Sequence, residues 1–145
     1  MLVQQSMNLL YLLLGYITPL LFSLGTHEGY EMPKTFFVYC ISFVLIALFI
    51  IGLVEKKYVF RFPFKESILF IFISMLSTIF SSHPHTSFWG YYSRFNGGLL
   101  SVSCLFFLYV IGLNVIKKDF FIKFLHGVLI SSVVVSIFAI LQHFS

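Results

Sequence analysis

The stretch Phe36-Phe37-Val38-Tyr39-Cys40-Ile41-Ser42-Phe43-Val44-Leu45-Ile46-Ala47-Leu48-Phe49-Ile50-Ile51-Gly52-Leu53-Val54 contains no Asp, Glu, Lys or Arg. As a helix rising about 1.5 Å per residue it is about 28 Å long, close to the roughly 30 Å of hydrocarbon in a bilayer. Four further segments read the same way: residues 7–24, 67–82, 98–116 and 122–142. Four of the five carry no formal charge and the fifth has only Lys123, one residue in from its start, as expected where a charge at mid-bilayer costs at least about 2.5–3.5 kcal/mol. The expected fold is therefore all-α, a polytopic membrane protein of about five transmembrane helices in a single region spanning 1–145. Alternating strands of about 10 residues are absent, which excludes an outer-membrane barrel.

Composition agrees. The chain is 59% hydrophobic, 20% aromatic and only 10% charged, with twenty Phe and a mean hydropathy of +1.00. Soluble domains carry about 45–50% apolar and about 25% charged residues. Disordered chains are poor in aromatics and rich in charge, so disorder is excluded as well.

The net charge of +4 does not point to nucleic acid, because the cations are placed by topology. Lys56, Lys57, Arg61 and Lys65 lie between the second and third segments, and Lys117 and Lys118 between the fourth and fifth, with Lys123 at the very start of the fifth. The positive-inside rule makes both connections cytoplasmic, with a cytoplasmic N-terminus, and turns the regions around Glu31 and Trp89 outward. The first segment lacks the basic start of a secretory signal, so it is read as a span. Cys40 and Cys104 are read as small packing residues rather than a disulfide.

Helices in lipid associate through close packing and interhelical hydrogen bonds, so small and hydroxyl residues are expected on buried faces. Ser74, Thr78 and Ser81 form one such face, and Ser132, Ser136 and Ala139 another, with His126 and Gly127 near the start of the last segment. Pro19 is expected to bend the first helix, since it removes a backbone hydrogen bond.

The one extended polar stretch, 82–98, reads Ser-His-Pro-His-Thr-Ser-Phe-Trp-Gly-Tyr-Tyr-Ser-Arg-Phe-Asn-Gly-Gly. Trp89, Tyr91 and Tyr92 suit a membrane interface, and their rings also suit the apolar faces of sugars. Arg94 and Lys34 are the two cations that the topology leaves outside. A diphosphate or carboxylate would give them a partner: Arg presents a planar fork of donors and Lys a compact charge. Gly90, Gly97 and Gly98 allow a backbone to approach such an anion. The start of the fourth span turns its free N–H groups toward the same volume. A lipid headgroup beside Arg94 is the plainer alternative. His83 and His85 are two ligands short of a metal site unless His27 and Glu28 join them, so no metal and no cofactor is expected. Nucleophile motifs, Walker loops and dinucleotide fingerprints are missing, and no catalytic residue is assigned.

Taken in order, Thr18-Pro19-Leu20, Tyr30-Glu31-Met32-Pro33-Lys34, Phe88-Trp89-Gly90-Tyr91-Tyr92-Ser93-Arg94-Phe95-Asn96-Gly97 and Ile140-Leu141-Gln142-His143-Phe144 resemble the amino-terminal part of the O-antigen ligase and polymerase superfamily. The most specific match is Gly-x-Tyr-x-Arg-x-x-Gly, from Gly90 to Gly97. The resemblance implies a bacterial inner-membrane glycosyltransferase of cell-surface polysaccharide biosynthesis, taking glycans from undecaprenyl-diphosphate carriers at the outer face. It implies substrate contact for Arg94 and Lys34, with Trp89, Tyr91, Gly90 and Gly97 around them. Partners would be the lipid-linked glycan, the bilayer and further helices of the same enzyme. The family's later helices and large outer loop have no counterpart in the chain, which is expected to be an amino-terminal portion inactive alone. The competing expectation is a non-enzymatic multispan protein, a transporter segment or an assembly subunit.

Overall fold

A computed structural model describes residues 2–21, 31–58, 60–92 and 95–144. Among them the structure is helical, without strands. Its helices are α1 (Leu2–Ile17), α2 (Glu31–Val54), α3 (Lys65–Ile79), the short α4 (Pro84–Trp89), α5 (Leu99–Val115) and α6 (Lys118–Phe144). Two of them, α2 and α6, are long and apolar enough to cross a membrane, and α5 is a shorter apolar helix. Residues 22–24 of the first expected segment lie outside the described residues. α2 begins before the apolar run, at Glu31: its carboxylate suits a helix start, and Pro33 falls in the first turn, where a missing N–H costs little.

α1, α2 and α5 share a core of Met7 and Tyr11, Leu45 and Phe49, and Ile111 and Val115. α6 then packs on α1, and α3 on α5, so the order across the molecule is α6, α1, α2, α5, α3. If lipid surrounds the bundle, burial from water supplies nothing to such contacts, and dispersion must hold them. A buried leucine such as Leu45, fully enclosed, makes about 40–60 atom contacts worth about 0.1–0.2 kcal/mol each.

Polar ties supplement the packing. Tyr11 donates to the Leu108 carbonyl at 2.7 Å. The Gln4 amide donates to the Val115 carbonyl and to Asn8 Oδ1, both at 3.1 Å, while its own oxygen accepts from Tyr58 at 2.7 Å. Burial pushes the Tyr58 phenol above its usual pKa, with Glu55 adding to the rise and Lys57 opposing it. Glu55 and Lys57 are themselves an ion pair. These bonds gather the start of α1 and the ends of α2 and α5 at one end of the bundle. Lys56, Lys57, Arg61, Lys65, Lys117, Lys118 and Lys123 occupy the same end, because α3 and α6 start there.

Asn114 fixes the connector between α2 and α3. Its Oδ1 accepts the Arg61 N–H at 2.6 Å, and its Nδ2 donates to the Arg61 carbonyl at 3.3 Å and the Val110 carbonyl at 2.8 Å. Asn114→Leu is expected to speed hydrogen exchange at the Arg61 amide by about fivefold, the loss of one hydrogen bond of about 1 kcal/mol. Unchanged exchange there would count against the clamp.

Of the two expected small-residue faces, that of Ser74, Thr78 and Ser81 is half-buried on a helix that rests on α5, whereas that of Ser132, Ser136 and Ala139 is exposed. Ser74, Thr78, Ser132 and Ser136 each donate to the carbonyl four residues earlier on their own helix, and α6 exposes Ser132, Ser136 and Ala139. The α1–α6 contact uses a neighbouring face: Gly127 and Ser131 of α6 meet Gly15 and Tyr16 of α1, and Ser131 donates to the Tyr16 carbonyl at 2.8 Å. A serine bonded within its own turn has its hydroxyl satisfied and needs no neighbour. The bend expected at Pro19 takes the form of a change of helix type, α1 stopping at Ile17 and Thr18–Leu20 continuing as a 3-10 turn. Cys40 and Cys104 are free thiols.

Apolar side chains cover the outside of α3 and α6. Phe70, Phe72, Ile73 and Ile79 are exposed on α3, and Leu129, Val133, Ile137 and Leu141 on α6. Patches of this extent on a protein surface mark contact with lipid or with another protein.

Candidate functional site

The polar stretch becomes a closed loop at the end of the bundle opposite the seven cations. Ser81, just past α3, accepts from the Ser87 hydroxyl at 2.6 Å and from the His83 N–H at 3.2 Å, which seats α4 on the end of α3. Pro84 opens α4, where its missing N–H is harmless. Gly90 ends it at φ +89°, ψ −171°, a conformation reserved in practice for glycine.

The chain then folds back on itself. Phe95 N–H donates to the Tyr91 carbonyl at 2.8 Å, and Tyr91 N–H to the Asn96 carbonyl at 3.2 Å. The returning segment lies so close that a Cβ on Gly90 would stand 2.3 Å from the Asn96 oxygen, and one on Gly98 2.3 Å from the Gly90 nitrogen. Gly97 also has a positive φ, +80°, with open space around its Cα.

Helix α2 holds the loop in place. Tyr39 donates to the Phe95 carbonyl at 2.7 Å. With its proton committed there, its oxygen accepts from Ser101 of α5 at 2.6 Å. The Phe36 and Phe95 rings lie 5.8 Å apart. Beside this pin, Glu31, Tyr91, Asn96 and Gly97 line an open hollow of about 570 Å³.

Of the residues singled out in the sequence, Tyr91 and Gly97 line the hollow and Gly90 closes the turn behind it. Tyr91 is 69% exposed, so its ring is free to meet a ligand face. Trp89 stacks edge-on against Phe88 at 5.2 Å and is also exposed. Lys34 lines a different hollow, of about 180 Å³, with Pro19, Leu20, Val134, Val135 and Phe138, so Lys34 and Tyr91 are not brought together. Arg94 and its neighbour Ser93 lie outside the described residues, as do His27 and Glu28. Among the described residues no group of three or more His, Cys, Asp or Glu side chains is placed to hold a metal.

Tyr39, Ser101, Phe36, Glu31 and Asn96 were not singled out as site residues by the sequence. The signal was present for two of them, since a phenol and a hydroxyl inside apolar segments must find acceptors. Chemically, a carboxylate, an amide and a phenol around one hollow match the donors and acceptors of a sugar. The chain matches no family model, no curated protein and no solved structure.

Proposed function

We propose that the chain is a five-span protein of the bacterial inner membrane, N-terminus cytoplasmic, whose outer loop binds a glycan carried on undecaprenyl diphosphate, as the membrane portion of an O-antigen ligase- or polymerase-like transferase. The observation that carries this is the closed loop 90–98, tied to α2 through Tyr39 and set at the cation-poor end of the bundle. In this reading Arg94 takes the diphosphate, helped by the start of α5. Glu31, Tyr91 and Asn96 meet sugar hydroxyls, and Trp89 offers a ring for stacking. Lys34 acts, if on the same ligand, from the apolar hollow between the Thr18–Leu20 turn and α6, where the carrier's tail would lie. Catalysis needs cations that stabilise the departing diphosphate and a base for the acceptor hydroxyl. Arg94 serves the first need, and further helices supply the second.

The exposed faces of α3 and α6 favour a second reading, a non-enzymatic assembly subunit. Titration of the full chain in micelles with a short polyprenyl diphosphate separates the two. Arg94→Gln is expected to weaken binding by about tenfold, the typical value of a charge-assisted hydrogen bond, while Lys57→Gln leaves it unchanged. Equal affinity of the Arg94 variant and the parent chain overturns the assignment. Maleimide labelling of single cysteines, in a chain with Cys40 and Cys104 replaced by Ser, tests orientation. Ser87→Cys is expected to label from outside intact cells and Lys57→Cys not; labelling of position 57 reverses the topology.

A further inference from the structure

The connector between α2 and α3 is built unlike the outer loop. From Phe60 to Lys65 it reads Phe-Arg-Phe-Pro-Phe-Lys, without helical structure until Lys65. Phe60, Phe62 and Phe64 are all exposed, Phe62 to 82%. Arg61 and Lys65 alternate with them and are exposed too. Among the described residues no carboxylate pairs with either cation; the ion pair of this connector is Lys57 with Glu55. The backbone at Arg61 is nevertheless held on both sides by Asn114.

Behind this connector lies a groove. α2 and α3 both rest on α5, and their backbones stay apart from each other. The gap is an entirely apolar hollow of about 370 Å³, walled by Phe49 and Leu53 of α2 and Ile68 of α3, floored by Phe106 and Val110 of α5, and closed at the basic end by Phe60 and Phe62. Its volume is within the roughly 300–1,000 Å³ typical of ligand sites. An apolar slot with two unpaired cations on the segment that caps it is complementary to an amphiphile with an anionic head. A neutral partner helix would leave Arg61 and Lys65 without a counter-charge.

We infer that this groove binds one acyl chain of a cytoplasmic-leaflet phospholipid with an anionic headgroup, whose phosphate is held by Arg61 and Lys65. Anionic headgroups attract basic residues just inside the membrane, and the arginine fork suits a phosphate bidentately. Asn114 is the positioning residue, holding the Arg61 backbone over the groove. The inference rests on the five-span reading and is independent of what the outer loop binds.

The chain has one Trp, Trp89, so Trp89→Phe with Ile50→Trp gives a single reporter on the groove wall, at a position 54% exposed. This full chain is reconstituted in phosphatidylcholine vesicles containing rising fractions of phosphatidylglycerol brominated in its acyl chains. Half-maximal quenching is expected at about a tenfold lower fraction than with brominated phosphatidylcholine, and Arg61→Gln with Lys65→Gln is expected to erase that preference. Lys117→Gln with Lys118→Gln, which lowers the charge of the same end equally, is expected to preserve it. Indistinguishable quenching by the two brominated lipids overturns the site. So does an equal loss in the two double variants, which reduces the effect to diffuse surface charge. Arg94→Gln, the variant that tests the outer loop, leaves this readout in place, so the two readings fail separately.

Discussion

Gly90→Ala is expected to open the outer loop. The new Cβ would meet three backbone atoms of Asn96 at 2.3 to 2.8 Å, and backbone, unlike a side-chain tip, has no rotamer by which to retreat. To this is added the conformation itself, φ +89° with ψ −171°, which costs an ordinary residue about 1–3 kcal/mol. The bonds that close the turn, Phe95 to Tyr91 and Tyr91 to Asn96, cannot survive a shift large enough to relieve the contact. Amide exchange at Tyr91 and Phe95 should rise by about a hundredfold or more, the equivalent of about 3 kcal/mol. Gly97→Ala is the internal comparison: it has a positive φ but nothing within 4 Å of the added carbon, so only the backbone cost of about 1 kcal/mol applies. Equal effects at the two glycines would show that the close approach of the two loop segments is not what closes the loop.

Gly127→Leu is expected to lift α6 from α1. A Cβ at position 127 would lie 2.3 to 2.8 Å from ring atoms of Tyr16, and the reverse contact, Gly15 against Phe124, is 2.9 Å. Alanine at 127 requires only that the Tyr16 ring swing aside, since that side chain is exposed. Leucine adds branches that no swing accommodates, and overpacking of this kind costs about 1–3 kcal/mol. The Ser131 bond to the Tyr16 carbonyl fails with it. Because among the described residues α6 packs mainly on α1 and its 3-10 extension, with Phe120 near its start reaching the shared core, the damage should be confined. Amide exchange in detergent micelles should rise along the first half of α6, with Leu45 and Ile111 in α2 and α5 still protected. Unchanged protection of α6, or loss spread evenly over the bundle, would refute this account of the contact.

The helical class, an α2 long and apolar enough to cross a membrane, and the sharing of cations between two connections were legible because each follows from local composition. The half-buried side of α3 was legible in Ser74, Thr78 and Ser81, but the face by which α6 meets α1 was not. Ser132 and Ser136 carry the same side chain as Ser131, at spacings that suggest an interface, yet Ser131 alone has an acceptor across the gap. Gly127, noted beside His126 in the sequence, is the residue that allows the approach, and nothing local states that its partner is Tyr16. The loop was half legible. Its glycines announced tight turns, and two of them are needed for backbone contact. Its anchor, Tyr39, is fifty-six positions away from Phe95, a separation at which no spacing rule operates. Lys34 lines a hollow with residues of α6, a neighbour that charge logic did not supply, while Arg94, with which that logic grouped it, lies outside the described residues.

The order α6, α1, α2, α5, α3 has a consequence for biogenesis. Helices α2 and α3 are joined by a short connector, yet α3 docks on α5, which the ribosome makes later. During synthesis α1 and α2 can pair at once, whereas α3 has no seat until α5 arrives, and α6 adds the opposite edge later still. That interval is when chaperones and proteases compete for the nascent protein. Mutations that weaken the seat of α3 on α5 should therefore lower cellular abundance more than they lower the stability of the finished fold.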